Sequence, residues 1–189
     1  MGRKAGISID DIVTAAAAIA DRDGLAAATL SAVAADLGIK TPSLYNHVAG
    51  LAGLRRELAL HASRLLTTLF REATDGREPR DAIRAAAVAY RSFAIEHPGL
   101  YESMLPAPKP GEDDELYEAM AAPVRVLFAE FADLGFAEEE AVHVIRGLRA
   151  MLHGFVDLER KAGFGMPVDL DESFDEAASL MIDRIPERA

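Results

Sequence analysis

Six polar side chains lie close together between residues 40 and 47 of this chain of 189 residues. Their amine, hydroxyl, amide and imidazole groups have a reach that suits phosphates and the base edges in a major groove of DNA. An ordinary helical hairpin with a solvated polar face carries the same residue types, so that alternative stays open. The six residues are Lys40, Thr41, Ser43, Tyr45, Asn46 and His47.

The flanking residues predict two short helices joined by a turn, which is a helix-turn-helix. Thr29 is placed to cap a helix over 30–37, and Gly38 follows where the turn needs a left-handed residue. The second helix begins at Thr41 with Pro42 at its first helical position, where the missing N–H costs no hydrogen bond. Apolar residues that pack between the two helices would be Leu30, Val33, Ala34, Leu37, Ile39 and Leu44.

The rest of the chain is also predicted to be helical, because Ala, Leu, Glu and Arg dominate and alternating β-branched residues are scarce. A first helix is capped by Ser8 and stopped by Gly24. Pro123 is expected to kink or divide the helix that contains it. Beyond the helix-turn-helix we predict helices over about 51–73, 80–96, 99–105, 113–134, 138–161 and 172–185.

These elements predict an all-α fold with two domains. Residues 1–52 would form a three-helix helix-turn-helix domain with the start of a linking helix, and residues 53–189 a second helical domain. The net charge of −11 is divided unevenly between the parts, because residues 1–56 carry about +1 and the remainder about −12. Screening at about 0.15 M salt limits repulsion to roughly 8 Å. The charge of residues 1–56 therefore does not prevent this part of the chain from binding a polyanion.

Composition and motifs exclude several function classes. The chain has no Cys, so it has no disulfide and no thiolate metal site, which fits a reducing cytoplasm. No segment approaches the roughly 18 apolar residues of a membrane span. Glu140 and His143 have the spacing of half a di-iron site, but a second Glu-x-x-His is absent. We expect a cytoplasmic protein that is not an enzyme, binds no metal or cofactor and has no membrane partner.

Residues 8–60 resemble the N-terminal DNA-binding domain of TetR-family transcriptional repressors. The matching positions are Asp23-Gly24, Thr29-Leu30, Ala34, Gly38-Ile39, the run Ser43-Leu44-Tyr45-Asn46-His47-Val48, and Leu54. The resemblance implies that Thr29, Tyr45 and His47 contact phosphates, and that Lys40, Thr41, Ser43 and Asn46 can face bases. Pro42 completes the segment that would contact DNA.

The family often has a Lys at the start of the fourth helix, near the place where Leu51 stands here. We expect Arg55, or its neighbour Arg56, to supply the missing cation for a phosphate. Arg3 and Lys4 would act as a flexible basic arm.

Residues 148–174 are similar to the C-terminal ligand-binding and dimerisation domain of one TetR subgroup. The shared features are a helix with His153-Gly154-Phe155 and a loop with Gly163-Phe164-Gly165. With the helical spacing of the last two helices, this resemblance implies a four-helix interface between two copies. Packing within one chain is the alternative. The interface residues would be Ala141, Ile145, Gly147, Leu148, Leu152, Gly154, Phe174, Ala178, Met181 and Ile185.

The resemblance also implies a site for a small-molecule effector, lined by Met and aromatic residues between helices. Plain core packing is the alternative for each of these residues. Arg149 and His153, four residues apart on one helix, are the polar candidates to orient a ligand. The full set is Tyr90, Phe93, Tyr101, Met104, Met120, Leu127, Phe128, Phe131, Arg149, Met151, His153 and Phe155.

The sequence thus predicts a homodimeric, sequence-specific transcriptional regulator. We expect a repressor that binds a palindromic operator in double-stranded DNA and is released by a small hydrophobic ligand. Two reading helices about 34–36 Å apart would match half-sites one turn of DNA apart. A helical small-molecule carrier or adaptor without DNA binding is the alternative.

Overall fold

The computed structural model describes residues 6–186 of the chain. Within this range the chain forms eight α-helices, two 3-10 helices and no strand, which confirms the all-α prediction. The α-helices are α1 (Ile9–Asp23), α2 (Leu30–Asp36), α3 (Gly50–Thr74), α4 (Pro79–Glu96), α5 (Pro98–Ser103), α6 (Asp114–Asp133), α7 (Glu138–Arg160) and α8 (Leu170–Ile182). The 3-10 helices are Leu25–Ala27, which the sequence did not predict, and Thr41–Asn46.

The described residues divide into two compact units, each built from two separate stretches of the chain, and the predicted boundary at residue 52 stays a prediction. Unit 1 contains the described residues up to Arg64 together with Glu96–Met120. Unit 2 contains Leu65–Ile95 and the described residues from Ala121 onward. Helices α3, α4 and α6 each contribute residues to both units. A single cut in the sequence therefore cannot separate the two units.

Unit 1 is organised around α1, which packs against α2, the Leu25–Ala27 helix and α5. α1 begins at a capping box, in which the N–H of Asp11 donates to Ser8 Oγ and the N–H of Ser8 donates to the Asp11 carboxylate. It ends before Gly24, as predicted. Its buried side consists of Ile12, Val13, Ala15, Ala16, Ala17, Ile19 and Ala20.

Of the two predicted effects of Pro123, division of the helix is wrong, because α6 runs through this residue, and a kink stays a prediction. Pro123 is buried and lies on the same side of α6 as the buried residues Leu127 and Phe131. Proline removes one hydrogen bond from a helix interior. Burial of this apolar face offsets that loss, so the helix continues.

Arginines of α4 hold the helices of unit 2 together. Arg80 donates to the carbonyl oxygen of Ile182 at 3.1 Å, and Arg84 donates to Ser179 of α8 and to Asp183, the residue that follows α8. Arg91 forms a bidentate pair with Glu159 of α7, with N–O distances of 2.8 and 2.6 Å. A third nitrogen of Arg91 lies 2.8 Å from Asp171 at the start of α8. One face of α4 therefore fixes both C-terminal helices.

Just after α7, the backbone of Ala162 is strained, because its φ of +52° lies in the left-handed region that a residue with a Cβ rarely adopts. The N–H of Ala162 donates to the carbonyl oxygen of Glu159, and the N–H of Gly163 donates to the carbonyl oxygen of Leu158. These two bonds form a helix-end motif that favours glycine at the position of Ala162.

We expect Ala162→Gly to raise the free energy of unfolding by about 1 kcal/mol, because a Cβ in this conformation costs about that much. Chemical denaturation measures the change. Ala129→Gly, in an exposed part of α6, should instead be destabilising, and a destabilising Ala162→Gly would contradict the assignment of strain.

Candidate nucleic-acid interface

The first helix of the helix-turn-helix is fixed at its start by Thr29. The hydroxyl oxygen of Thr29 accepts a hydrogen bond from the N–H of Ala32 at 3.2 Å, and it lies 3.1 Å from Ser31 Oγ. Threonine is a favourable residue at this position because it satisfies an amide that the helix leaves unpaired. Val33 and Ala34, in the middle of α2, are buried. The predicted cap and the predicted interior face are therefore both present.

The turn is built on Gly38, as the sequence predicts. Its φ is +66°, its N–H donates to the Ala35 oxygen, and the next N–H, of Ile39, donates to the Ala34 oxygen. A Cβ at Gly38 would meet no atom within 4 Å. The backbone conformation, rather than lack of space, is therefore what requires glycine here.

The second helix of the motif is a 3-10 helix, Thr41–Asn46, whereas the sequence predicted a helix without this distinction. The N–H of Ser43 donates to the Lys40 oxygen and that of His47 donates to the Leu44 oxygen, each at 2.9 Å. Leu44 is fully buried and Val48 nearly so. These two side chains anchor a short element whose other residues are left at the surface. We call Thr41–Asn46 the reading helix.

The reading helix and its flanks present the predicted polar set to solvent. Tyr45 is 61% exposed, the largest exposure of any aromatic residue among those described. Thr29 and Thr41 are half-buried. The predicted residues that are exposed are Lys40, Pro42, Ser43, Tyr45, Asn46 and His47. An exposed surface of this chemistry, on a short helix anchored by buried Leu44 and Val48, is suited to a groove of DNA.

Arg55, the cation expected to follow the reading helix and contact a phosphate, is not fully exposed. Arg55 is half-buried, and its Nη1 is buried with no hydrogen-bond partner among the described residues. Burial lowers the pKa of Arg55, and the negative charge of Glu102 acts in the opposite direction. Its contact with DNA stays a prediction. Arg3 and Lys4, the predicted basic arm, lie outside the described residues.

Arg56 is held by carboxylates of the same unit. Its guanidinium donates to Asp113, to Glu115 at 2.7 Å and to Glu57 at 3.0 Å. The hydrogen bonds that Arg56 donates, first to Asp113 and then to Glu115, raise the pKa of Arg56, and the bond to Arg56 lowers the pKa of Asp113. This arrangement disagrees with the interpretation of Arg56 as a free cation for a phosphate. No local pattern indicated the pairing of Arg56 with Asp113, since the two residues are 57 positions apart in the chain.

The predicted effector residues are divided between the units. Tyr101, Met104 and Met120 belong to unit 1, and the other nine belong to unit 2. In unit 2, Tyr90, Phe93, Leu127 and Phe131 are buried, whereas Arg149 is exposed. Those of intermediate exposure in unit 2 are Phe128, Met151, His153 and Phe155. Arg149 thus lies on the solvent side of α7, away from the buried residues with which it was expected to orient a ligand.

Most of the predicted dimer residues pack inside unit 2. Ala141, Ile145, Leu148 and Leu152 of α7, and Phe174, Ala178 and Ile185 in and after α8, are each at most 6% exposed. Their surface is already covered within one chain, so they cannot supply contact area to a second copy. This outcome corresponds to the alternative of packing within one chain. Gly147 is exposed, and Gly154 and Met181 are half-buried.

Within the part of the chain that the structure describes, no helix is both long and apolar enough to cross a membrane. In the same range, no group of three or more His, Cys, Asp or Glu side chains is placed to hold a metal ion.

Residues 83–181 match the family model described as the tetracyclin repressor-like, C-terminal domain. The HTH-type transcriptional regulator YobS of Bacillus subtilis is 38% identical over 177 residues, which cover 92% of this chain and 90% of that protein. The HTH-type regulator Rv0681 of Mycobacterium tuberculosis is 35% identical over 174 residues, covering 92% and 79%. The solved structure of the TetR family protein ActR from Streptomyces coelicolor has the same fold, with a TM-score of 0.70 at 18% identity over 95% of this chain and 96% of that one. The chain therefore belongs to the TetR family of helix-turn-helix transcriptional regulators, which are DNA-binding proteins and not enzymes.

Proposed function

We propose that the protein is a homodimeric repressor that places two reading helices in successive major grooves of a palindromic operator. The observation that carries this proposal is the reading helix, which is anchored by buried Leu44 and, with its two flanking residues, exposes Lys40, Ser43, Tyr45, Asn46 and His47. Half-sites one turn apart need reading helices about 34–36 Å apart, which a twofold dimer supplies. A carrier without DNA binding is not supported, since both similar regulators are of the helix-turn-helix type.

Selection of duplexes from a randomised pool by the purified protein tests DNA binding. We expect a palindromic sequence to be enriched. The association constant of the protein for this sequence should fall steeply with salt concentration. In a plot of its logarithm against the logarithm of the salt concentration, the slope should be about −0.9 per phosphate contact. Enrichment of no sequence, or an affinity independent of salt, would overturn the proposal.

The dimer surface that we propose is the outer side of α7, opposite its buried side. His143, Gly147 and Ala150 on this side are exposed, and Gly154 continues the same line. Packing within the chain does not explain the two glycines. A Cβ at Gly154 would meet no atom within 4 Å, and one at Gly147 would touch only the end of Met181 at 3.6 Å. Because each glycine inside a helix costs about 0.5–1 kcal/mol, close approach of a second α7 is the expected compensation.

Gly154→Leu tests this surface without disturbing the single chain. The added Cβ meets no atom within 4 Å and leucine improves helix propensity, so we expect the protomer to stay folded. We expect sedimentation or light scattering to show loss of the dimer. The matched control is Ala129→Leu on the exposed side of α6, which should remain dimeric. A Gly154→Leu protein that is still a dimer would exclude this surface.

We propose that a hydrophobic effector binds in unit 2 and releases the operator. ActR, which shares this fold, has been crystallised in complex with (S)-DNPA. In this chain the half-buried Phe128, Met151 and Phe155 are the candidates for ligand contact, because they offer apolar surface that the core does not cover. To move operator occupancy from 99:1 to 1:99, the ligand must favour the released state by about 5.5 kcal/mol.

Phe128→Arg tests the effector site. We expect a folded protein that still binds the selected duplex but is no longer released by small hydrophobic compounds that release the wild-type protein. The control is Leu180→Arg, at an exposed position of α8. Release of the Phe128→Arg protein at the same compound concentration as the wild type would exclude Phe128 from the site.

A further inference from the structure

The beginning of α5 is held by a carboxylate of α1. Asp21 accepts hydrogen bonds from the N–H groups of Gly99 and Leu100, at 2.8 and 3.0 Å, and its other oxygen lies 3.0 Å from His97 Nδ1. These amides are the first N–H groups of α5, which the helix itself leaves unpaired. Asp21 thus acts as an N-cap supplied by a different helix, 78 residues earlier than Gly99 in the chain.

Gly99 allows this contact to be close. A Cβ at Gly99 would lie 2.3 Å from the carbonyl carbon of Ala20 and 2.4 Å from its oxygen, and Gly99 is itself buried. Because those atoms are backbone, they cannot move aside as a flexible side chain can. The start of α5 and the end of α1 are therefore fixed against each other both by hydrogen bonds and by shape.

A second attachment lies at the beginning of α6. Asp113 pairs with Arg56 of α3 and accepts the N–H of Leu116 at 3.0 Å, so it also caps α6. Glu115 binds Arg56 and accepts from Arg64 at 3.2 Å. Arg56 and Arg64 are two turns apart on α3, the helix that follows the reading helix.

We propose that Asp21 and Arg56 are positioning residues for operator binding, because they fasten the segment 97–115 to α1 and α3 at both of its ends. This inference rests on the proposed function. The segment connects the last residue of α4 to the first residues of α6, and both helices continue into unit 2. Because Asp21 and Arg56 hold this segment to the helices on either side of the helix-turn-helix, we infer that the spacing of two reading helices in a dimer depends on both residues.

The test compares two duplexes with the full-length protein. The two-site duplex is the palindrome selected by the wild-type protein, and the one-site duplex is the same sequence with one arm scrambled. We expect Asp21→Ala and Arg56→Gln to weaken two-site binding by about tenfold or more and one-site binding by less than about twofold, because the second head binds intramolecularly only if its position fits. Asp23→Ala is the control, since Asp23 is exposed on the same helix and pairs with Arg22. It should change neither affinity.

Asp113→Asn distinguishes positioning from contact with a phosphate. Asparagine keeps the cap of α6 but releases Arg56 from its charged partner. If Arg56 bound a phosphate, the released cation would strengthen one-site binding, and Arg56→Gln would reduce the salt slope by about one. Positioning predicts that Asp113→Asn weakens two-site binding, as Arg56→Gln does, with an unchanged one-site salt slope. Hydrogen exchange should also become faster at Gly99 and Leu100 in Asp21→Ala.

Unchanged two-site affinity in Asp21→Ala and Arg56→Gln would overturn the inference, as would equal losses on both duplexes. Stronger one-site binding by Asp113→Asn would assign Arg56 to a phosphate and overturn its positioning role. Failure of the wild-type protein to bind any duplex would instead contradict the proposed function. The two failures are therefore distinguishable.

Discussion

Tyr45→Ala is expected to weaken binding to the selected palindrome by about a hundredfold, the largest effect on affinity that we predict for a single substitution. One lost contact to a base or a phosphate costs about 1–3 kcal/mol, and a dimer loses two such contacts. The side chain is 61% exposed, so its removal leaves little empty space in the fold. Titration of labelled duplex by fluorescence anisotropy measures the loss.

The matched control for this variant is Tyr117→Ala, which removes an exposed tyrosine of α6 outside the helix-turn-helix. Its affinity for the palindrome should equal that of the wild type. Both variants should keep the wild-type melting temperature and oligomeric state. If Tyr45→Ala binds the palindrome as tightly as the wild-type protein, the proposed role of the reading helix is wrong.

Arg91→Leu should cause the largest loss of stability, about 3 kcal/mol or more, because it leaves a largely buried carboxylate without its partner. The side chains of Arg91 and Glu159 are only 13% and 16% exposed, and they form a bidentate pair. The guanidinium also lies 4.8 Å from the ring centroid of Phe174, so a cation–π contact is lost as well. Denaturant unfolding followed by circular dichroism measures the difference.

The double variant Arg91→Leu/Glu159→Leu shows whether the unpaired charge is the cause. Replacing both partners of a buried ion pair with apolar residues is often close to neutral, whereas breaking the pair is not. We therefore expect the double variant to recover most of the stability lost by Arg91→Leu. An equal loss in both variants would show that packing, rather than the isolated Glu159 carboxylate, determines the effect.

The helix-turn-helix was predictable because each of its signals is local. Thr29 caps the next turn of chain, and Gly38 adopts a backbone conformation that few other residues tolerate. Leu44 is the apolar residue within a polar run, and its burial determines which side chains of that run face outward. The 3-10 geometry of this run was not predictable, because so short a sequence can form either the backbone hydrogen bonds between residues three apart of a 3-10 helix or those between residues four apart of an α-helix.

The position of Arg56 was not predictable from neighbouring residues. Its two stronger partners, Asp113 and Glu115, follow it by 57 and 59 residues. In the sequence, Arg56 is a cation about two helical turns beyond the helix-turn-helix, and a DNA phosphate is its expected partner. Only the folded chain brings an acidic helix start next to it, and so replaces an intermolecular role with an intramolecular one.

The sequence by itself determined that the chain is helical, where its helices begin and end to within a few residues, and which short segment presents polar side chains at the surface. Those properties depend on caps, turn residues and the spacing of apolar residues, which act over a few positions. The tertiary structure alone decided what covers each apolar face. Leu148 and Leu152 have the spacing of an interface, but periodicity shows only that a face is buried, and here the chain's own helices bury it. Which surface remains for a partner depends on contacts between residues far apart in the chain.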